Sequence, residues 1–182
     1  MTAQRHTVGP DRGKLVLHTK RQGLAATAGH DLTIDVTRWS GEIEVGDDPA
    51  ASTVSVTVET GSLEVREGTG GVKPLTERDK REIAATMRKL LDSDRQPQAT
   101  FRSTRVAARA GGGTIDGDLT LRGSTKPLKI EVTDSGDGHY HGTTSVVQTA
   151  FGIKPYVAFL GALKVADEVA VDVDLDLSGD VR

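Results

Sequence analysis

His139 and His141 stand two residues apart, so on a strand their imidazoles share a face and could ligate one metal ion. They flank Tyr140 beside a Gly136-Asp137-Gly138 turn, where exposed polar side chains are expected, and the order of residues offers no third ligand. The plainer reading is a wet strand edge, with no metal. His30-Asp31 closes a run of small residues from Gly23 to Gly29. A buried histidine oriented by a carboxylate could act as a base or hold a polar headgroup; the alternative is a turn histidine that opens a strand. His30 is therefore the candidate polar anchor.

Gly68-Thr69-Gly70-Gly71 precedes Lys73, but the spacing of glycine, lysine and hydroxyl that a phosphate cradle needs is absent. A flexible loop is the expectation. Asp172, Asp174 and Asp176 alternate with valines and leucines, and a row of ionised groups facing water requires no catalytic role. Lys80-Arg81 and Arg88-Lys89 read in the same way, as the wet face of a helix that allows transient contact with a membrane surface. With no cysteine there is no disulfide, thiolate metal site or cysteine nucleophile. A net charge of −3 argues against nucleic acid as a partner. No catalytic motif emerges and no cofactor is expected.

The elements that must carry these residues are mostly strands. Leu32, Ile34 and Val36 alternate with Thr33 and Asp35; Val54, Val56 and Val58 with Ser55 and Thr57; Leu128, Ile130 and Val132 with Lys129 and Glu131. The run Val169, Val171, Val173, Leu175, Leu177 is the cleanest. Period two puts the apolar members on one face, the pattern of antiparallel strands with one wet side. Turn clusters at Ser40-Gly41, Gly46 to Pro49, Gly111 to Gly113 and Ser135 to Gly138 separate the runs. About eight strands suit a closed up-and-down barrel.

One segment changes period. Ile83, Met87, Leu90 and Leu91 lie at helical spacing, Thr76 and Asp79 have the form of a capping box, and Glu77 and Arg81 form an i, i+4 pair. This predicts an amphipathic helix over 77–91 that covers an open barrel end, with the 66–73 loop letting it move. The chain reads as one domain over 1–182, with its core at about 14–177 and residues 1–13 flexible.

The string RDKREIAATMRKLLDSDRQPQATFRSTRV (Arg78 to Val106) and the string IDGDLTLRGSTKPLKIEV (Ile115 to Val132) resemble hallmarks of the YceI-like polyisoprenoid-binding family. Phe151-Gly152-Ile153 and GHDLTIDVTRWSGEIEV (Gly29 to Val45) are similar to further family strands. The resemblance runs from about Lys14 to Leu177. It implies an all-β, antiparallel lipocalin-like barrel with a helix across it, and a cavity for a long isoprenoid chain such as a polyprenyl or quinone tail. Many members are exported behind a signal peptide; MTAQRHTVGPDRGK shows no apolar run, so a soluble, cytoplasmic protein is the expectation. The longest apolar stretch, Tyr156 to Leu163, is broken by Gly161 and falls far short of the roughly 20 residues of a membrane span.

Only six aromatic residues are present, which favours an unfilled interior over one packed with bulky rings. The candidate cavity residues are Trp39, Met87, Leu91, Phe101, Leu119, Leu121, Phe151, Ile153 and Phe159. Binding or transport of an apolar isoprenoid-type lipid is the expected function. An enzyme that isomerises or cyclises an apolar substrate in the same cavity, with His30 as its acid or base, is the alternative. A stress-related module with a filled barrel is another. A homodimer is compatible with the sequence.

Overall fold

A computed structural model describes residues 4–180. Among them the strands before the helix are β1 (Gln4–Val8), β2 (Gly13–Thr19), β3 (Arg21–Gln22), β4 (Asp31–Val36), β5 (Trp39–Val45), β6 (Thr53–Glu59) and β7 (Leu63–Thr69). After α1 (Glu77–Leu90) come β8 (Gln98–Arg109), β9 (Gly112–Leu121), β10 (Ser124–Gly136), β11 (His139–Val147), β12 (Val157–Ala158), β13 (Leu163–Val165) and β14 (Glu168–Asp176). Eleven of these strands form one curled antiparallel sheet in the order β1-β5-β6-β8-β9-β10-β11-β14-β2-β4-β7. A three-stranded sheet, β12-β13-β3, caps one end.

The fold class follows the alternation, but the strand number exceeds eight. Two causes account for the excess. Residues 4–8, expected to lie outside the core, form β1 and pair with β5 from Gln4↔Val45 to Val8↔Gly41. The β4–β7 and β5–β6 pairs are also one bent ribbon. At its corner Thr37 N donates to Ser62 O (3.0 Å) and Glu59 N to Arg38 O (3.1 Å). Ser62, 3% exposed, satisfies the bend by accepting from Arg38 N and donating to Glu59 O. The corner swings β4 and β7 away from β5 and β6, so the sheet curls around an interior without β1 meeting β7.

That interior has a solid end and a hollow one. Val8, Leu15, Val36, Trp39 and Leu177 pack as the solid end, with Tyr140, Ile43 and Leu175 against them. Gly13 makes this possible: a Cβ there would press on Leu175 at 2.8 Å and on the Trp39 ring at 3.3 Å.

The helix begins as its sequence specifies. Asp79 N donates to Thr76 Oγ1 (3.1 Å) and Thr76 N to the Asp79 carboxylate (2.8 Å), a reciprocal capping box. The helix ends at Leu90, one residue inside the expected limit, with Leu91 as its C-cap. The expected Glu77–Arg81 pair is replaced by an i, i+3 pair, Lys80–Glu77 (3.2 Å), and an i, i+4 pair, Arg78–Glu82 (2.9 Å). Ile83, Met87 and Leu90 point towards the sheet, yet no helical residue is fully buried. A packed amphipathic helix normally buries its stripe. This one lies over empty space.

Candidate functional site

The space under α1 is a cavity of about 810 Å³. Its walls are the inward members of the alternating strands. Leu15, Leu17, Leu32 and Ile34 come from one side, Val56, Val58, Ala99 and Phe101 from the other. Leu119, Leu121, Leu128 and Ile130 line it from β9 and β10, and Val146, Val169, Val171 and Val173 from β11 and β14. Ile83, Met87, Leu90 and Leu91 form the roof. A volume of this size lies within the range of small-molecule pockets, about 300–1,000 Å³.

The interior stays open because of side-chain size. Aliphatic groups from facing strands do not reach one another across a curled sheet of this width, and Phe101 is the one phenylalanine on the wall. The polar residues of the lining are Thr19, Thr60, Thr144 and Gln148 on the walls, Asp79, Glu82 and Thr86 from α1, and Arg21, His30, Lys73 and Lys164 at the mouth. Thr19 Oγ1 is buried without a hydrogen-bond partner.

Of the candidates drawn from the sequence, Met87, Leu91, Phe101, Leu119, Leu121 and Ile153 line this one cavity, with His30 at its mouth. Three do not. Trp39 belongs to the solid end, beyond Leu15 and Val36. Phe151 is 4% exposed and packed behind the wall, where the helical turn Gln148–Phe151 tucks it. Phe159 is 64% exposed and points outward, because Phe159 and Leu160 both adopt left-handed backbone (φ 51° and 54°) that turns them off the strand. Of the six aromatic residues, Phe101 and Tyr156 line the cavity. The wall residues missed in the sequence, Leu17, Leu32, Val58 and Val173 among them, carried a signal in their alternation; what was lacking was which alternating faces share an interior.

The mouth is a built structure. Arg21 donates to the Gly29 and Thr69 carbonyls (both 3.0 Å), tying the loop before β4 to the end of β7. His30 Nε2 donates to Lys73 O at 2.7 Å; a carbonyl only accepts, so this nitrogen carries a proton. Gly70 and Gly71 have φ of +76° and +75°, and a side chain on either would collide with Arg21 or His30. The glycines make a close-packed strap, not the free loop expected. Nor is His30 oriented by Asp31. The Asp31 carboxylate accepts from Arg21 N (2.9 Å) and lies 3.5 Å from Lys20 Nζ, and the Arg21 N–H holds its carboxyl below the usual value.

Three other histidines face away from the cavity, while His6 is buried on β1 beside Val8. His141 bonds Asp174 (2.7 Å), His18 lies 2.8 Å from Asp172, and His139 lies 3.9 Å from Asp176, a ladder across β2, β14 and β11 on the outer face. The shared face of His139 and His141 is therefore present, with the aspartate row as its partner. Among the described residues no group of three or more His, Asp or Glu is arranged to hold a metal ion. Nor, among the described residues, is any helix long and apolar enough to cross a membrane.

Residues 11–177 match the model of the YceI-like domain. Among curated proteins, Protein YceI of Escherichia coli is 40% identical over 90 residues, 50% of this chain and 41% of that protein. A UPF0312 protein of Shewanella baltica is 36% identical over 116 residues, 58% of this chain and 55% of the relative. The chain thus spans about half the length of the curated relatives it matches. Among solved structures, Burkholderia cenocepacia BcnA superposes with a TM-score of 0.60 at 19% identity, covering 90% of this chain and 94% of the other. The Campylobacter jejuni YCEI protein superposes with a TM-score of 0.52 at 16% identity, covering 78% and 81%. At these identities the structural likeness is one of fold.

Proposed function

Because the chain belongs to the YceI-like domain family, we propose that it binds an elongated apolar lipid of the isoprenoid type inside the curled sheet, for sequestration or transport. The observation that carries this reading is the cavity of about 810 Å³ roofed by a helix whose apolar stripe is nowhere fully buried. Burial of ligand area would supply the affinity, at roughly 25 cal/mol per Å². The ligand would complete the contacts that Ile83, Met87 and Leu90 lack. The mouth groups His30 and Arg21 offer polar contacts to a polar end.

Two other readings fare less well. A filled barrel is at odds with an interior volume of this size. An enzyme using His30 as its acid or base lacks support in the geometry, since the ring bonds a backbone carbonyl and the neighbouring carboxylate is engaged elsewhere.

Native mass spectrometry and solvent extraction of the purified protein test the proposal. The expected result is a co-purifying apolar adduct, removed by delipidation and restored by a polyprenyl alcohol or a long-chain quinone. Protein that is always empty and takes up neither compound would overturn it.

A further inference from the structure

Two segments meet at the cavity mouth without a single carboxylate between them. Residues 20–30 and 154–166 carry Lys20, Arg21, Lys154 and Lys164 and no Asp or Glu, in a chain whose net charge is −3. They are joined through β3 and β13, with Lys164 opposite Gln22 and Val165 opposite Arg21. Ala25 N also donates to Ala162 O at 2.9 Å. Arg21, Tyr156, Leu163 and Lys164 from the same segments line the cavity.

From this platform apolar side chains project into solvent. Leu24 and Leu160 are fully exposed, Phe159 is 64% exposed, and Tyr156 and Val157 are nearly half exposed. Isolated exposed leucines are common. A group of them, held out from the surface and ringed by cations, marks an interaction site. Leu160 is held out at a backbone cost: its φ of 54° is a left-handed conformation that a leucine rarely adopts. Since the side chain buries nothing within the chain, packing gives no reason for it.

We infer that this face docks on an anionic lipid bilayer, with Leu24, Phe159 and Leu160 inserted at the headgroup boundary and the lysines against the phosphates. The inference rests on the lipid-binding reading above and names the surface from which the ligand is taken or to which it is delivered. Two observations favour a bilayer over a second copy of the chain. Lys20 is paired with Asp31 (3.5 Å), but among the described residues Lys154 and Lys164 have no carboxylate partner, and a two-fold dimer through this patch would set them against their own copies. The patch is also continuous with the cavity mouth, so a lipid could pass from bilayer to cavity without crossing water. Interfacial binding of this kind draws on both terms, apolar insertion and attraction to anionic headgroups.

Vesicle flotation tests it, comparing phosphatidylcholine vesicles with phosphatidylcholine–phosphatidylglycerol vesicles. The wild-type chain is expected to float with the anionic vesicles, and high salt should weaken the association. L24D and L160D should each reduce partitioning roughly tenfold, and K154E/K164E should abolish the preference for anionic lipid. All four side chains are exposed, and aspartate tolerates left-handed backbone at 160, so the fold should be retained. Uptake of a polyprenyl alcohol delivered from ethanol, without vesicles, should be unchanged in L24D/L160D. Loss of vesicle binding with that uptake intact supports the docking face. Wild-type protein that takes up the alcohol but floats with neither vesicle overturns the docking face and leaves the binding reading standing. Flotation without uptake of any apolar probe overturns the binding reading instead. Vesicle binding unaffected by L24D/L160D, or a dimer that these changes convert to monomer in the absence of vesicle binding, also overturns the docking face.

Discussion

His30 Nε2 and the Lys73 carbonyl, 2.7 Å apart, join the start of β4 to the segment that leads into α1. The bond crosses the mouth of the cavity, so it holds the helix roof to the barrel. H30A should release residues 70–76 without unfolding the sheet. Hydrogen exchange should speed up in that segment and in the first turn of α1, with β8 and β9 unchanged. G71A should act on the same contact more severely, because it combines left-handed backbone with a collision against the His30 ring. A loss of about 2 kcal/mol or more in urea unfolding is the expected outcome.

Position relative to the cavity should set the cost of truncating an apolar side chain. Leu177 is 8% exposed and belongs to the solid end, so L177A should cost about 3 kcal/mol. Met87 faces empty space, and M87A should cost less than about 1 kcal/mol, since the atoms it loses already lack neighbours on one side. Chemical denaturation of the delipidated protein measures both. Equal costs would contradict a hollow interior.

Adding volume should do the reverse. L121W and V58F place larger side chains into the cavity. Their stability should fall little or rise, while uptake of a long polyprenyl alcohol should drop at least tenfold, because the chain and the new ring compete for one space. Titration with a fluorescent polyene analogue reads this directly.

Trp39 is the one tryptophan of the chain and sits at the solid end. Its emission should be blue-shifted and should respond weakly to a brominated apolar ligand, which quenches on contact. W39A should cost about 3–5 kcal/mol. Strong quenching would place the ligand deeper than the cavity reaches.

Acid should loosen three corners together. Asp31 is held below the ordinary 3.8 chiefly by the Arg21 N–H, Asp79 by the Thr76 N–H and then its hydroxyl, and Asp176 by the Ser178 hydroxyl and then its N–H. A carboxylate with a lowered folded pKa stabilises the fold fully above its unfolded pKa, and that stabilisation is lost as pH falls through the folded value. Their contribution should be constant from neutrality to about pH 5 and decline below 3.8. D79A should flatten that decline at the helix start, as followed by circular dichroism against pH.

Much of this protein could be read from local order. The alternation in residues 32–36, 54–58 and 169–177 fixes strands with one wet face, since a period of two leaves no other way to bury one set of side chains. Thr76 and Asp79 fix where the helix begins, because capping is satisfied within one turn. The scarcity of aromatic side chains already limits how far an interior can be filled. The tertiary structure decided the rest. Trp39, Phe151 and Phe159 have the chemistry of cavity residues, yet one went to the packed end, one behind the wall and one to the surface. Their fates depend on the ribbon corner at Ser62, which joins segments distant in sequence, on the tuck of Gln148–Phe151 and on the two left-handed residues 159 and 160. Likewise the carboxylate-free segments 20–30 and 154–166 become one face only because β3 and β13 pair. A one-dimensional pattern specifies what a side chain can do, and long-range pairing specifies what it meets.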